Sequence, residues 1–210
     1  MTEHMTQLLA PFLGSYSLSG DQMEQVTSLL DLLTQWNSKI NLTAIRDREA
    51  ILTRHFGESL FAAWHLLPNP SFSLSVTDVG SGSGFPGMPL KIWAPTTRLT
   101  LVESNHKKAA FLNEAVRKLM LSEVTVLPVR VEEISTQSDL VTLRAVERFE
   151  KLLRHLPKLL KPSARIGLLI GKSQLDSAKG ALKDILWSPT LPIPMSRTRT
   201  LLIGTVRAFN

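Results

Sequence analysis

Cysteine is absent from all 210 residues. Its absence removes disulfides, thiolate metal sites and every mechanism built on a sulfur nucleophile. Long apolar runs are missing as well. Nothing approaches the roughly 18 residues that a membrane-spanning helix needs, so no membrane partner is expected. The first 38 residues contain no Lys or Arg, so the basic start of a secretory signal is lacking and cytoplasmic residence is the expectation. The five His are scattered and no H-E-x-x-H occurs, which argues against a metal site. The segment "GLLIGKS" (Gly167 to Ser173) looks like a phosphate-binding loop but has three residues between its glycines, where that motif requires four.

What is present is a globular chain of 23.3 kDa with 43% hydrophobic residues and a mean hydropathy of +0.06. That length suits one domain with a small appendage. Charge is unevenly placed. The only charged residues among the first 38 are Glu3, Asp21, Glu24 and Asp31, and the whole chain carries +6 with a pI of 9.8. The remainder is therefore strongly basic, as expected for a partner that is a polyanion such as RNA.

Val26, Leu29, Leu30, Leu33 and Trp36 follow the i, i+3, i+4, i+7 spacing of an amphipathic helix. A second helical pattern runs from about Arg48 to Leu67, and "PNPS" ends it. Residues 1–70 thus read as a helical cap. Beyond it, in residues 71–210, short β-rich runs alternate with helices. They are "LSVTDV", "RLTLVE", "VTVLPV", "DLVTL" and "RIGLLI", and they predict a parallel sheet wound on both sides. The tail "TLPIPMSRTRTLLIGTVRAF" (Thr190 to Phe209) holds two more β-like runs and predicts an antiparallel hairpin at one edge. A mostly parallel α/β sheet of this Rossmann-like kind, ending in such a hairpin, is the class I methyltransferase arrangement.

Between the first strand and the next helix stands "VTDVGSGSGFPGMPLKIW". Gly82, Gly84 and Gly87 satisfy the dinucleotide pattern G-x-G-x-x-G, which on its own favours a nicotinamide-dependent oxidoreductase. The same letters give Asp78 followed by Gly80, Gly82 and Gly84. An acid there opposes a pyrophosphate and suits a ligand bearing an ammonium group, which favours S-adenosylmethionine. Glu103, at the tip of the second strand, suits hydrogen bonds from both ribose hydroxyls under either reading. A cofactor-binding regulatory module without chemistry is a third possibility.

Read together, "QWNSKINLTAIRDREAILTRHFGESL" (Gln35 to Leu60), the glycine loop, "RVEE" (Arg130 to Glu133) and "LRA" (Leu143 to Ala145) resemble the bacterial methyltransferases that modify N7 of a guanine in small-subunit ribosomal RNA. This family is also called glucose-inhibited division protein B. The resemblance covers nearly the whole chain. It implies an S-adenosylmethionine turn at Gly80, Gly82, Gly84 and Phe85, and a ribose acid at Glu103. It further implies an adenine site at Val131 and Glu132, and an arginine, Arg144, facing cofactor and substrate. The chain departs from the family pattern with Glu58-Ser59 for Asp-Ser and with Leu143 in place of a serine before Arg144. Arg54 and His55 match the family's Arg-His, for cap packing or RNA contact.

Guanine N7 bears a lone pair and no proton, so its methylation calls for positioning rather than a general base. The lack of cysteine argues against methylation at a pyrimidine carbon. "LRAVE" stands where exocyclic adenine methylation usually has D/N-P-P-F/Y. No acid–base residue is therefore assigned. Lys172, Arg197 and Arg199 fall on predicted loops at or near the sheet edge and, with Arg54, are the candidate RNA contacts. Arg148, Lys151 and Arg154 read as a solvated helix face.

Overall fold

Ser19 and Gln22 start the longest helix by capping each other. Ser19 Oγ accepts from the Gln22 N–H at 3.2 Å and Gln22 Oε1 accepts from the Ser19 N–H at 2.9 Å, which satisfies two backbone donors that a helix start leaves free. The computed structural model describes residues 2–144 and 149–207. Four helices lead: α1 (Thr2–Leu13), α2 (Gly20–Asn37), α3 (Arg48–Ile51) and α4 (Glu58–Leu66). The last two form one continuous rod interrupted by a π-helical turn at Leu52–Gly57. Gly57 lies against α1 so closely that a Cβ there would stand 2.5 Å from Cδ2 of Phe12.

The rest alternates as expected: β1 (Ser75–Val79), α5 (Gly87–Trp93), β2 (Arg98–Val102), α6 (His106–Lys118), β3 (Val124–Leu127), β4 (Ser138–Arg144), α7 (Phe149–Leu153) and β5 (Leu160–Gly171). The chain then adds α8 (Leu175–Ala181), β6 (Ile185–Trp187), β7 (Leu191–Pro192) and β8 (Arg199–Val206). Strand order is β3-β2-β1-β4-β5-β8-β6. β1 to β5 pair in parallel, while β8 runs antiparallel to β5, β6 and β7. The chain therefore winds outward both ways from β1 and β4, which makes their C-terminal ends the switch point where ligands bind in open α/β sheets.

The hairpin between β7 and β8 forms, but β8 is not an edge strand: it is inserted between β5 and the unforeseen β6. Its buried run from Thr200 to Gly204 has neighbours on both sides, and Gly204 lets the Ile185 and Trp187 side chains close over it.

Two apolar layers cover the sheet. Residues of α1, α2 and α4 share one core with Val76, Leu99, α5 and α6. Val79, Val141, Ile166, Leu168 and Leu202 face a second core with Phe149, Leu153 and Ala178 of α7 and α8. The helices of the 1–70 segment are thus packed on the sheet's own core. Lys91 is part of this layer at 1% exposure, its Nζ donating to the Pro95 and Thr97 carbonyls at 2.7 and 2.6 Å and closing the end of α5.

Candidate functional site

A cavity of about 870 Å³ opens at the C-terminal ends of the parallel strands. The glycine loop, the ends of β2 and β4, the turn at Val129–Glu132 and the segment Leu42–Ala44 all line it. Gly80 and Gly82 adopt φ of 69° and 54°, values that a side chain would resist. A Cβ on Gly82 would meet nothing nearer than the Gly80 carbonyl at 3.8 Å, so bare backbone faces the cavity there. Gly84 does different work. Its φ is 89°, and a Cβ would strike Met88 Sδ at 2.8 Å. It permits packing beneath the loop and does not line the cavity.

Glu103 locks the loop. One carboxylate oxygen accepts from the Gly82 N–H at 2.9 Å and the other from the Asn105 N–H at 2.8 Å. Each oxygen retains a lone pair, and the residue lines the cavity. Val131 and Glu132 also line it. The Glu132 carbonyl accepts from Lys158 Nζ at 2.6 Å, which holds that turn in place.

Asp78 lies elsewhere than expected. It is fully buried and does not line the cavity. Its oxygens accept from the Thr142 hydroxyl at 2.8 Å and the Gly87 N–H at 3.2 Å, so it ties β1 to β4 and to the start of α5. Burial pushes its carboxyl up to about 6, against the pull of those hydrogen bonds. An ammonium partner for Asp78 is therefore corrected: the side chain is enclosed by the loop that the ligand would approach from outside.

The cavity's other wall is built on Glu58, whose role the sequence did not reveal. Glu58 is 1% exposed. Its Oε2 accepts from Arg144 Nη2 at 2.9 Å and its Oε1 from Arg199 Nε at 2.8 Å. Arg144 also donates to the Ser59 hydroxyl and the His55 carbonyl, both at 3.2 Å, and to the Arg54 carbonyl. The π-helical turn presents the last two carbonyls. Burial lowers the Arg144 pKa to about 10, which leaves it charged at neutral pH. Arg144 borders the cavity, and all four of its Nη hydrogens have partners within the protein. Arg199, at the start of β8, has its guanidinium held by Glu58 through Nε and Nη2.

His55 stacks on Phe85 with centroids 5.0 Å apart and planes at 23°. Its Nε2 meets Thr43 Oγ1 at 2.8 Å, and Nδ1 is buried without a partner among the described residues. Burial, reinforced by Arg144, Arg54 and Arg199, lowers its pKa to about 3, so the ring is neutral. Asn37 fixes the segment before it. Its Oδ1 accepts from the Leu42 and Thr43 N–H groups at 2.9 and 3.0 Å, and its Nδ2 donates to the Thr43 carbonyl at 3.0 Å. The W-N and N-L-T letters thus deliver Thr43 to the cavity wall.

Arg54, Lys172 and Arg197 are exposed. Lys151, read from the sequence as part of a solvated face, is exposed and also borders the cavity, together with Lys108 and Arg130. Arg148 and Ala145 lie outside the described residues. Among those described, no group of His, Asp or Glu is placed to hold a metal and no helix is long and apolar enough to cross a membrane.

A family model described as rRNA small subunit methyltransferase G matches residues 22–194. The ribosomal RNA small subunit methyltransferase G of Chloroflexus aggregans is 36% identical over 203 residues, 90% of this chain and 83% of that protein. The protein of the same name from Oceanobacillus iheyensis is 34% identical over 91% of this chain and 86% of its own. The one from Roseiflexus is 43% identical over 69% of this chain and 63% of its own length. Solved structures share the fold at low identity. A ribosomal protein L11 methylase from Lactobacillus delbrueckii superposes with a TM-score of 0.63 at 14% identity, over 74% of this chain and 80% of that one. A SAM-dependent methyltransferase from Aquifex aeolicus superposes at 0.58 and 18% identity, over 77% and 94%. The sheet with its inserted antiparallel strand is thus a class I methyltransferase fold, and the chain belongs to the rRNA small subunit methyltransferase G family.

Proposed function

We propose that this protein transfers a methyl group from S-adenosylmethionine to N7 of a guanine in small-subunit ribosomal RNA. The observation that carries the reading is the two-sided cavity. Open glycine backbone, Glu103 and the Val131–Glu132 turn stand on one side, and Thr43, His55 and Arg144 on the other. The first side fits the cofactor. Backbone at Gly80 and Gly82 admits close approach, the free lone pairs of Glu103 suit ribose hydroxyls, and backbone groups at Val131 and Glu132 suit adenine's polar edge. S-adenosylmethionine supplies the electrophilic methyl. An oxidoreductase reading of the same loop has no support in the chain's family.

The second side suits a nucleophile that needs no deprotonation. A His55 ring with a pKa of about 3 is a poor base at neutral pH, and guanine N7 carries no proton to remove. Catalysis is then alignment of N7 with the methyl–sulfur bond. Exposed Arg54, Lys172 and Arg197, with Lys108, Arg130 and Lys151 at the cavity, supply cationic contacts for RNA backbone. RNA affinity should accordingly fall steeply with salt, because phosphate contacts release counterions.

The test is transfer of labelled methyl to ribosomal small subunits lacking the modification, followed by nucleoside analysis. Label is expected in 7-methylguanosine. Replacing the target guanine with 7-deazaguanine should abolish transfer while RNA binding survives. Label in a ribose or in an exocyclic amine would overturn the N7 assignment.

A further inference from the structure

The Thr43–His55 pair holds one hydrogen more than its own contact uses. Thr43 Oγ1 and His55 Nε2 stand 2.8 Å apart, and Thr43 Oγ1 also accepts from the Ile45 N–H at 3.2 Å. A hydroxyl carries one hydrogen and a neutral imidazole carries another. If the hydroxyl donated to Nε2, the ring hydrogen would sit on Nδ1, which is buried and has no partner among the described residues. An orphaned buried donor is costly. The other tautomer places the hydrogen on Nε2, which donates to Thr43 Oγ1, and leaves at Nδ1 an unpaired lone pair in place of an unpaired N–H. Both lone pairs of that oxygen are then filled, by Nε2–H and by the Ile45 N–H. Its own hydrogen has no acceptor among the described residues, and Thr43 lines the cavity.

Four of the five guanidinium hydrogens of Arg144 go to the carbonyls of Arg54 and His55, to Ser59 and to Glu58, so only its Nε–H stands beside the Thr43 hydroxyl as a donor of this wall. A guanine that offers N7 to a methyl donor must also offer O6, since both acceptors lie on one edge of the base. Burying O6 without a donor would cost what any unpaired buried acceptor costs.

We propose that the Thr43 hydroxyl, oriented by His55, donates a hydrogen bond to O6 of the target guanine and so selects guanine over purines that lack this oxygen; the assignment rests on the guanine-N7 reading above. Thr43 is then a specificity-determining contact, and His55 is a positioning residue. Asn37 holds the strand of chain between them through its three bonds to Leu42 and Thr43. The Phe85–His55 stack forms the wall that keeps the imidazole from turning.

The experiment compares methyl transfer to three RNAs that carry guanine, inosine or 2-aminopurine at the modified position. All three retain N7, inosine keeps O6 and loses the 2-amino group, and 2-aminopurine loses O6. The wild-type protein should prefer guanine over 2-aminopurine by about tenfold or more beyond its preference over inosine. Thr43→Val should lower that guanine-to-2-aminopurine ratio by about tenfold, Thr43→Ser should restore it, and the inosine ratio should not move. Comparing ratios between variants cancels the differing intrinsic reactivity of the bases, and a purely structural role for Thr43 would slow all three RNAs alike. An unchanged ratio in Thr43→Val overturns the proposal, as does a wild-type protein with no O6 preference. Binding of S-adenosylhomocysteine reports whether each variant is folded. Should Thr43→Val fail that check, His55→Phe, which keeps a ring over Phe85 and drops the aligning nitrogen, replaces it, and an unchanged ratio there is equally fatal. Product identity separates the two levels: wild-type label outside 7-methylguanosine removes the guanine-N7 reading and this assignment together.

Discussion

Arg144 Nη2 and Glu58 Oε2 lie 2.9 Å apart with side chains only 9% and 2% exposed, joining the end of β4 to the start of α4. The same carboxylate binds Arg199. One buried anion therefore compensates two cations, drawn from β4 and from β8, which β5 separates in the sheet.

Removing that anion should be far more damaging than removing the outer cation. Glu58→Ala is expected to cost about 3–5 kcal/mol in denaturant unfolding, because it leaves a buried guanidinium uncompensated. Arg199→Ala should cost less, since its side chain is 27% exposed and its loss leaves the Arg144 pair intact. Equal losses for the two variants would contradict the shared-anion arrangement.

Glu103→Ala should weaken S-adenosylhomocysteine binding by about 1–3 kcal/mol, from the loss of charge-assisted hydrogen bonds and of the anchor on the Gly82 N–H. Calorimetry measures it directly. An unchanged dissociation constant would remove Glu103 from the ribose site.

Asp78→Asn should alter affinity for S-adenosylmethionine and for S-adenosylhomocysteine to nearly the same degree, because the carboxylate is enclosed, does not line the cavity and makes no direct contact there. Its effect belongs to stability. The folded-state pKa is raised from 3.8 to about 6, so the native state holds the proton more tightly. The stabilisation this gives is complete below about pH 4 and is lost as pH rises through 6. Asp78→Asn should flatten that slope, which is at most about 1.4 kcal/mol per pH unit. Thermal unfolding from pH 4 to 7 reads the difference.

His55 works in the opposite sense. Its pKa falls from 6.5 to about 3 on folding, so the unfolded chain binds the extra proton. The contribution is complete above about pH 6.5 and disappears as pH falls toward 3. Wild-type protein should lose stability relative to His55→Gln between pH 6.5 and 5, by no more than about 1.4 kcal/mol per pH unit. Parallel stability profiles would show that the ring protonates freely in the folded protein.

Asp78 and Arg199 show why parts of the site escaped the sequence. Asp78 follows the letters expected of a ligand-binding acid, and nothing in those letters tells whether the carboxylate points out of the loop or beneath it. The structure decides through Thr142, a residue 64 positions away that reaches it across β1 and β4. Arg199 reads in the sequence as a cation of the loop between the last two strands, whereas β8 begins at that residue and its guanidinium meets Glu58, 141 positions away; the added strand β6 was not foreseen either. The three residues Ile185–Trp187 are too short to show any periodicity.

The class of fold, the glycine turn and the acid at the tip of β2 were legible in the letters alone, because these depend on local patterns: alternation of strand and helix, left-handed backbone at Gly80 and Gly82, and fixed distance along the chain. The family letters also marked the W-N, N-L-T and R-H positions without giving their purpose. Only the tertiary structure decided that Asn37 fixes Thr43, that Thr43 meets His55, and that Glu58 binds Arg144 and Arg199 across 86 and 141 residues of sequence. Such pairings carry no sequence period. They exist because burying a charge or a polar group forces it to find a partner, and the packed fold supplies that partner from wherever the chain happens to return.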